Sequence, residues 1–199
     1  FLDLTAYFNE YSNFIGDVRL VSPTAPGEVG EETGVDQVLL GEYKAYQYAV
    51  NASQKVRTYG ASVAVNYYIY KGLSAYTNYT YSYIDTKDLT DPILPGYNTP
   101  RNKANIGIGG QRIVKGFGFN VNLKWVESFW WESPFGDGKI PSFTTLDMNA
   151  SYEFDKYITV QIGGSNITNN KHIEAYGSPK IGGMVYASLL FDLERNKKK

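Results

Sequence analysis

The residues able to do chemistry are few and poorly placed for catalysis. The chain has one histidine, His172, and no serine or cysteine is spaced to act with it, so no nucleophilic relay is visible. Asp85, Asp88 and Asp91 recur at every third position and offer oxygen ligands of the kind hard cations take, but a solvated acidic loop accounts for them more simply. Gly107, Gly109 and Gly110 superficially resemble a phosphate-cradling loop; no helix pattern follows them, and relief of crowding in a strand suits them better. The sequons at Asn51, Asn78, Asn149 and Asn166 fall mostly within strand patterns, where glycosylation has no access. There is no cysteine for a disulfide or a thiolate metal site. The reading is therefore of a non-enzyme with no cofactor and no metal. What remains is a set of polar residues that alternate with apolar ones: Tyr76, Asn78, Asn120, Asn122, Lys124, Asp147 and Asn149. They are candidates for contact with a substrate or a packed protein piece, although alternation would place such residues there in any large barrel. Trp130 joins them at a loop end, where an indole can stack on a sugar or an aromatic ligand; loop packing explains it equally well.

The elements that carry these residues are strands. With 18 Tyr, 20 Gly and an aromatic share of 16% in 199 residues, the composition favours pleated surfaces and turns over helices. A formal charge of -1 gives no reason to expect a nucleic-acid partner. No stretch is apolar enough for a transmembrane helix.

Alternation at period two is the main signal. From Phe117 to Trp131 one face carries Phe117, Phe119, Val121, Leu123, Trp125, Phe129 and Trp131, interrupted by Glu127, while the other carries Gly118, Asn120, Asn122, Lys124 and Ser128. Tyr59 to Ile69, Leu73 to Tyr83 and Leu146 to Phe154 repeat it. Weaker copies run from Leu2 to Phe8, Ala104 to Ile108, Ile158 to Ile162 and Val185 to Leu193, which makes eight strands. Short turns are expected at Lys71-Gly72, Val114-Lys115-Gly116 and Asp155-Lys156. Long loops are expected from Gly16 to Tyr43, Asp85 to Pro100, Ser133 to Pro141 and Asn169 to Gly182. Short turns on one side and long loops on the other are the habit of a transmembrane barrel, with the short side periplasmic.

The polar face is Asn, Ser, Thr, Gly and Tyr with few charges, which suits a hydrated lumen better than the Lys- and Glu-rich outside of a soluble sandwich or propeller. Bilayer hydrocarbon demands that every backbone group be paired, which strands achieve only in closed barrels. Tyr79, Tyr81 and Tyr83, then Trp125, Phe129 and Trp131, then Tyr152 and Phe154 fall where aromatic girdles at the two interfaces are expected. Val185, Ala187, Leu189 and Phe191 form an alternating last strand similar to the assembly signal of outer-membrane barrels. Residues 194–199 read as a basic periplasmic tail. The first residues are already in mid-strand with no signal peptide before them, so residues 1–193 are expected to be the C-terminal part of a longer exported protein.

Several motifs sharpen this. Asn98-Thr99-Pro100-Arg101-Asn102-Lys103-Ala104-Asn105 resembles a "TP-basic-x-K-x-N" strand start, and Trp130 to Gly136 followed by Ile140-Pro141 and Thr145-Leu146-Asp147 resembles the next hairpin. Gly163 to Asn170 is similar to an "NL-N/D" segment, and Tyr176-Gly177-Ser178-Pro179, Gly182-Gly183 and Tyr186 to Asp192 to a closing strand. In this order they resemble the C-terminal barrel portion of TonB-dependent outer-membrane receptors, in particular those of Bacteroidetes with a carboxypeptidase-regulatory-like leader domain. The resemblance implies an all-β, antiparallel transmembrane β-barrel in which this chain supplies about eight of about 22 strands. It implies a multi-pass location in a Gram-negative outer membrane and import of a glycan, peptide or metal chelate. The implied partners are outer-membrane lipid, the rest of the barrel, an N-terminal plug, TonB reached through segments outside this chain, and a surface lipoprotein or larger outer-membrane complex. Two alternatives stand beside it: a self-contained eight-stranded barrel of OmpX or OmpW type, and a receptor-like barrel that serves as a scaffold.

Overall fold

In the computed structural model residues 1–23, 43–87, 95–133, 136–154 and 157–192 are described. The chain forms strands β1 (Leu2–Tyr11), β2 (Ile15–Pro23), β3 (Tyr43–Asn51), β4 (Val56–Tyr70), β5 (Leu73–Asp85), β6 (Asn102–Val114), β7 (Phe117–Val126), β8 (Phe129–Ser133), β9 (Gly136–Ile140), β10 (Phe143–Glu153), β11 (Ile158–Ser165) and β12 (Met184–Phe191). Eight of them make one antiparallel sheet in the order β1-β4-β5-β6-β7-β10-β11-β12, and these are the eight expected strands. The other four form two separate ribbons, β2-β3 and β8-β9. Among the described residues no helix is long and apolar enough to cross a membrane.

Register sorts the side chains cleanly. Val65, Thr77, Ile106, Leu123 and Leu146 lie side by side across five strands, and Ala75, Ile108, Val121, Met148, Gly164 and Val185 make a parallel row. Alternate rows on the other face read Asn66, Tyr76, Gly107, Asn122, Asp147 and Ser74, Gly109, Asn120, Asn149, Gly163, Tyr186. Among the described residues no second layer covers the apolar face: Leu4, Val65, Ile106, Leu123, Ile162 and Leu189 are all exposed. The buried apolar side chains among the described residues, Ala52, Val56, Val126, Ile140 and Phe143, gather instead at the long-loop ends of the strands. A sheet with an open apolar face and a core only at one rim is a membrane wall; a soluble sandwich would bury that face.

The tight turns are as expected. Lys71 and Gly72 link Tyr70 to Leu73, and Lys115 and Gly116 link Val114 to Phe117, with positive φ at all four (46°, 79°, 40° and 86°). Two left-handed residues in succession match the twist of the flanking strands, and glycine at the second takes that conformation without steric cost. The Asp155-Lys156 turn lies outside the described residues, as do Leu193 and the 194–199 tail.

Three expectations and one of the alternatives are corrected. Part of the Gly16 to Tyr43 loop is strand: β2 pairs with β3 from Ile15↔Asn51 to Pro23↔Tyr43. This ribbon is separate from the eight-stranded sheet, so the one-sided alternation of that sheet is not imposed on it. The Ser133 to Pro141 loop contains β9, paired with β8. The run from Phe117 to Trp131 breaks after Val126, so Phe129 and Trp131 stand on the β8-β9 ribbon beyond the main sheet. The eight strands do not close on themselves either: β1 and β12 are opposite edges, which removes the self-contained eight-stranded ring.

Candidate functional site: the polar wall and its mouth

On the polar face, short strand-to-strand contacts organise the candidate residues. The Tyr76 hydroxyl reaches Asn120 Oδ1 at 3.4 Å and Asn122 Oδ1 at 3.3 Å, and Asn105 Nδ2 donates to Asn78 Oδ1 at 2.9 Å. Asn149 stands opposite Asn120, and Asp147 opposite Asn122. Six of the eight expected contact residues therefore share one polar field. Lys124 lies on the same face and leaves that field upward, donating to Glu174 Oε1 at 3.2 Å. Trp130 sits on β8, opposite Lys139, outside the eight-stranded sheet.

Glycine shapes this wall. Tyr7 faces Gly60, Tyr76 faces Gly107 and Tyr186 faces Gly163, each directly across a strand pair. A β-carbon on these glycines would meet the opposite ring at 2.7, 2.3 and 2.7 Å respectively, so the ring lies in the space a side chain would fill. The pairing joins aromatic burial to a strand position that otherwise packs nothing. Sequence reading placed Tyr76 on the polar face but missed Tyr7 and Tyr186, because the pairing is visible only once register is known. In the lower half of the wall, Gly72, Gly109, Gly110, Gly116 and Gly118 line a concavity of about 810 Å3 with Asn120, Asn149 and Gln161 on its sides. Arg112 and Glu153 meet at its edge with guanidinium–carboxylate distances of 3.0–3.1 Å.

The last long loop is built around a residue that sequence reading treated only as a sequon and as part of a motif. Asn166 is 3% exposed. Its Oδ1 accepts from Asn170 N–H at 3.0 Å, its Nδ2 donates to Asn170 O at 2.9 Å, and its own N–H reaches Asp147 Oδ1 at 2.8 Å. Asp147 Oδ1 also takes the Ser165 hydroxyl at 2.8 Å. The Asp147 carboxylate thus braces a loop base as well as facing the polar field. Farther out, His172 stacks on Phe143 with ring centroids 4.2 Å apart, and its Nδ1 lies 2.8 Å from Asn170 O. That packing assigns His172 a structural place.

The aromatic residues expected to form girdles divide by level. Tyr79 and Trp125 share a row on the apolar face, bridged in register through Ala104, with Tyr81 and Tyr83 one and two rows nearer the long loops. The Tyr79 hydroxyl donates to Asn102, whose Nδ2 donates to Glu127 at 2.6 Å. Tyr152 and Phe154, edge to face at 4.9 Å, mark the short-turn level. Val185, Ala187, Leu189 and Phe191 lie on the apolar face of β12, opposite Gly164, Ile162, Val160 and Ile158. Asp85 faces Arg57 at the top of β5, and Asp88 and Asp91 lie outside the described residues.

A family model described as "TonB dependent receptor-like, beta-barrel" matches residues 1–167. The chain belongs to that family. No curated protein matches it. Among solved structures, the TonB-dependent barrel fold recurs in a copper transporter, OprC, with a TM-score of 0.67 at 12% identity over 96% of this chain and 28% of that one. The FrpB iron transporter from Neisseria meningitidis (F5-1 variant) gives 0.62 at 12% identity over 96% and 29%. The ferripyoverdine receptor of the outer membrane of Pseudomonas aeruginosa gives 0.51 at 14% identity over 74% and 20%. At such identities the likeness is one of fold. This TonB-dependent receptor barrel segment spans under a third of the length of each, so the eight strands are part of a larger barrel.

Proposed function

We propose that this chain is part of the barrel wall of a TonB-dependent transporter that imports a nutrient across a Gram-negative outer membrane. The observation that carries the reading is the register: one face is apolar and exposed from β1 to β12, and the other is a polar field of Asn, Ser, Gly and Tyr. Family membership supports it. In this reading Tyr76, Asn78, Asn120, Asn122 and Asn149 face a plug or passing substrate. Residues 194–199 trail into the periplasm, and TonB acts through segments beyond this chain. The cargo of the neighbours, copper and iron complexes, is theirs and leaves the nutrient class here open to a glycan, a peptide or a metal chelate.

Single cysteines in the intact receptor in cells test this. Cysteine at Asn78 or Asn122 should react with a small water-soluble maleimide, whereas cysteine at Val63 or Val121 should react only with a lipid-soluble one. Uptake of the nutrient should stop when TonB is deleted. Equal labelling of both sets, or uptake indifferent to TonB, would remove the proposal.

A further inference from the structure

Between the top of β5, the 95–101 segment and β8 lies a cavity of about 450 Å3, within the size range of small-ligand sites. Trp130 borders it and is 55% exposed, unusual for an indole held on a paired strand. The cavity wall is braced. Asn98 mimics a strand against β8, its Nδ2 donating to Glu132 O at 2.8 Å while its Oδ1 accepts from Glu132 N–H at 2.7 Å. Two carboxylates are pinned by one oxygen each: Glu132 Oε2 by Gly96 N–H at 2.9 Å, and Glu127 Oε2 by Asn102 Nδ2 at 2.6 Å. Their Oε1 atoms take no hydrogen bond among the described residues. Arg101 lies 4.8 Å over the Tyr83 ring and forms no ion pair among the described residues.

From this geometry we infer that the cavity is a binding subsite for a neutral carbohydrate, met at the extracellular mouth; the inference rests on the transporter reading above. An exposed, rigid indole offers a flat apolar face to the C–H side of a sugar ring. Fixed carboxylate oxygens accept from neighbouring ring hydroxyls, and a stacked guanidinium donates to ring and hydroxyl oxygens with its orientation already set. Charge decides against an anionic ligand: two carboxylates and one guanidinium leave the rim net negative, and an anion would pay for approaching Glu127 and Glu132. An uncharged polyol meets no such opposition.

The test uses the intact receptor in detergent on an array of neutral, acidic and amino-sugar oligosaccharides, followed by calorimetry with the best ligand. Binding should favour neutral oligosaccharides. Trp130→Ala should weaken it by at least about tenfold, the scale of an aromatic anchor, while Trp130→Phe keeps part of it. Arg101→Ala should weaken it less, with the fold retained as judged by heat-modifiable migration. Absence of binding to every neutral member, preference for acidic or amino sugars, or an unchanged affinity in Trp130→Ala overturns the subsite. If the receptor still fractionates with the outer membrane and imports its nutrient, only this inference fails. If it does neither, the transporter reading fails with it.

Discussion

A methyl group on Gly107 would stand 2.3 Å from Tyr76 Cζ, so the smallest substitution there evicts a ring. Gly107→Ala is expected to destabilise the barrel by about 1–3 kcal/mol, the usual scale of overpacking. Urea unfolding of the intact receptor in micelles measures it, and adding Tyr76→Ala should recover part of the loss by vacating the clash. Asn166 offers the opposite experiment, a deletion of contacts. Asn166→Ala removes both hydrogen bonds to the backbone of Asn170, an exposed residue whose freed groups water can take up, at a cost of about 1–3 kcal/mol for the pair. Limited proteolysis should then cut within 166–183 sooner than in the unaltered protein. Tyr97 makes a pH prediction. Burial, aided by the hydrogen bond with Tyr7 at 3.3 Å, pushes its phenol up to about 12. The raised value means that the fold holds the neutral form. Its contribution is therefore complete below the ordinary tyrosine range, about pH 10, and is lost as pH climbs through the folded value. Ultraviolet titration should show a late tyrosinate step that Tyr97→Phe abolishes.

At the scale of the element, legibility followed the bilayer. Strands whose one face must meet hydrocarbon announced themselves: β4, β5, β7 and β10 alternate because Val63, Tyr79, Val121 and Met148 have no other place to go. β6 was read as five residues, from Ala104 to Ile108, but runs for 13, because Gly107, Gly109 and Gly110 erase the contrast on which alternation depends. β2, β3 and β9 escaped for the complementary reason, since beyond the membrane nothing enforces two unlike faces. The polar contact residues were legible as a face, whereas their partners were not: Tyr7, Tyr186 and Asn166 acquire roles only through register and a folded loop. A turn prediction belongs here too. Gly116 has φ of 86°, and a β-carbon would approach Glu153 O at 2.8 Å. Gly116→Val is expected to slow assembly of the β6-β7 hairpin, read as delayed appearance of the heat-modifiable form during refolding.

For the whole molecule the decisive fact is two open edges. β1 and β12 each present a free row of backbone groups on one side within the described residues, and bilayer hydrocarbon does not tolerate such rows. The 199-residue chain refolded alone is therefore expected to give no heat-modifiable monomer in detergent, whereas the intact receptor does. A sharp monomeric species from the isolated chain would contradict the open wall.

The three tyrosine–glycine contacts have a consequence of their own. They fall on the β1/β4, β5/β6 and β11/β12 seams, which are joined by long outer segments, while β4/β5 and β6/β7 close through two-residue turns. At β7/β10 the β8-β9 ribbon keeps the alignment instead, with Val126 facing Phe143 and Phe129 facing Ile140, an equal step on both sides. Strand alignment is thus fixed inside the wall wherever a hairpin does not fix it. The outer segments at those three seams are released from that duty, so they can be grafted, lengthened or exchanged between homologous barrels while the staves beneath stay in step.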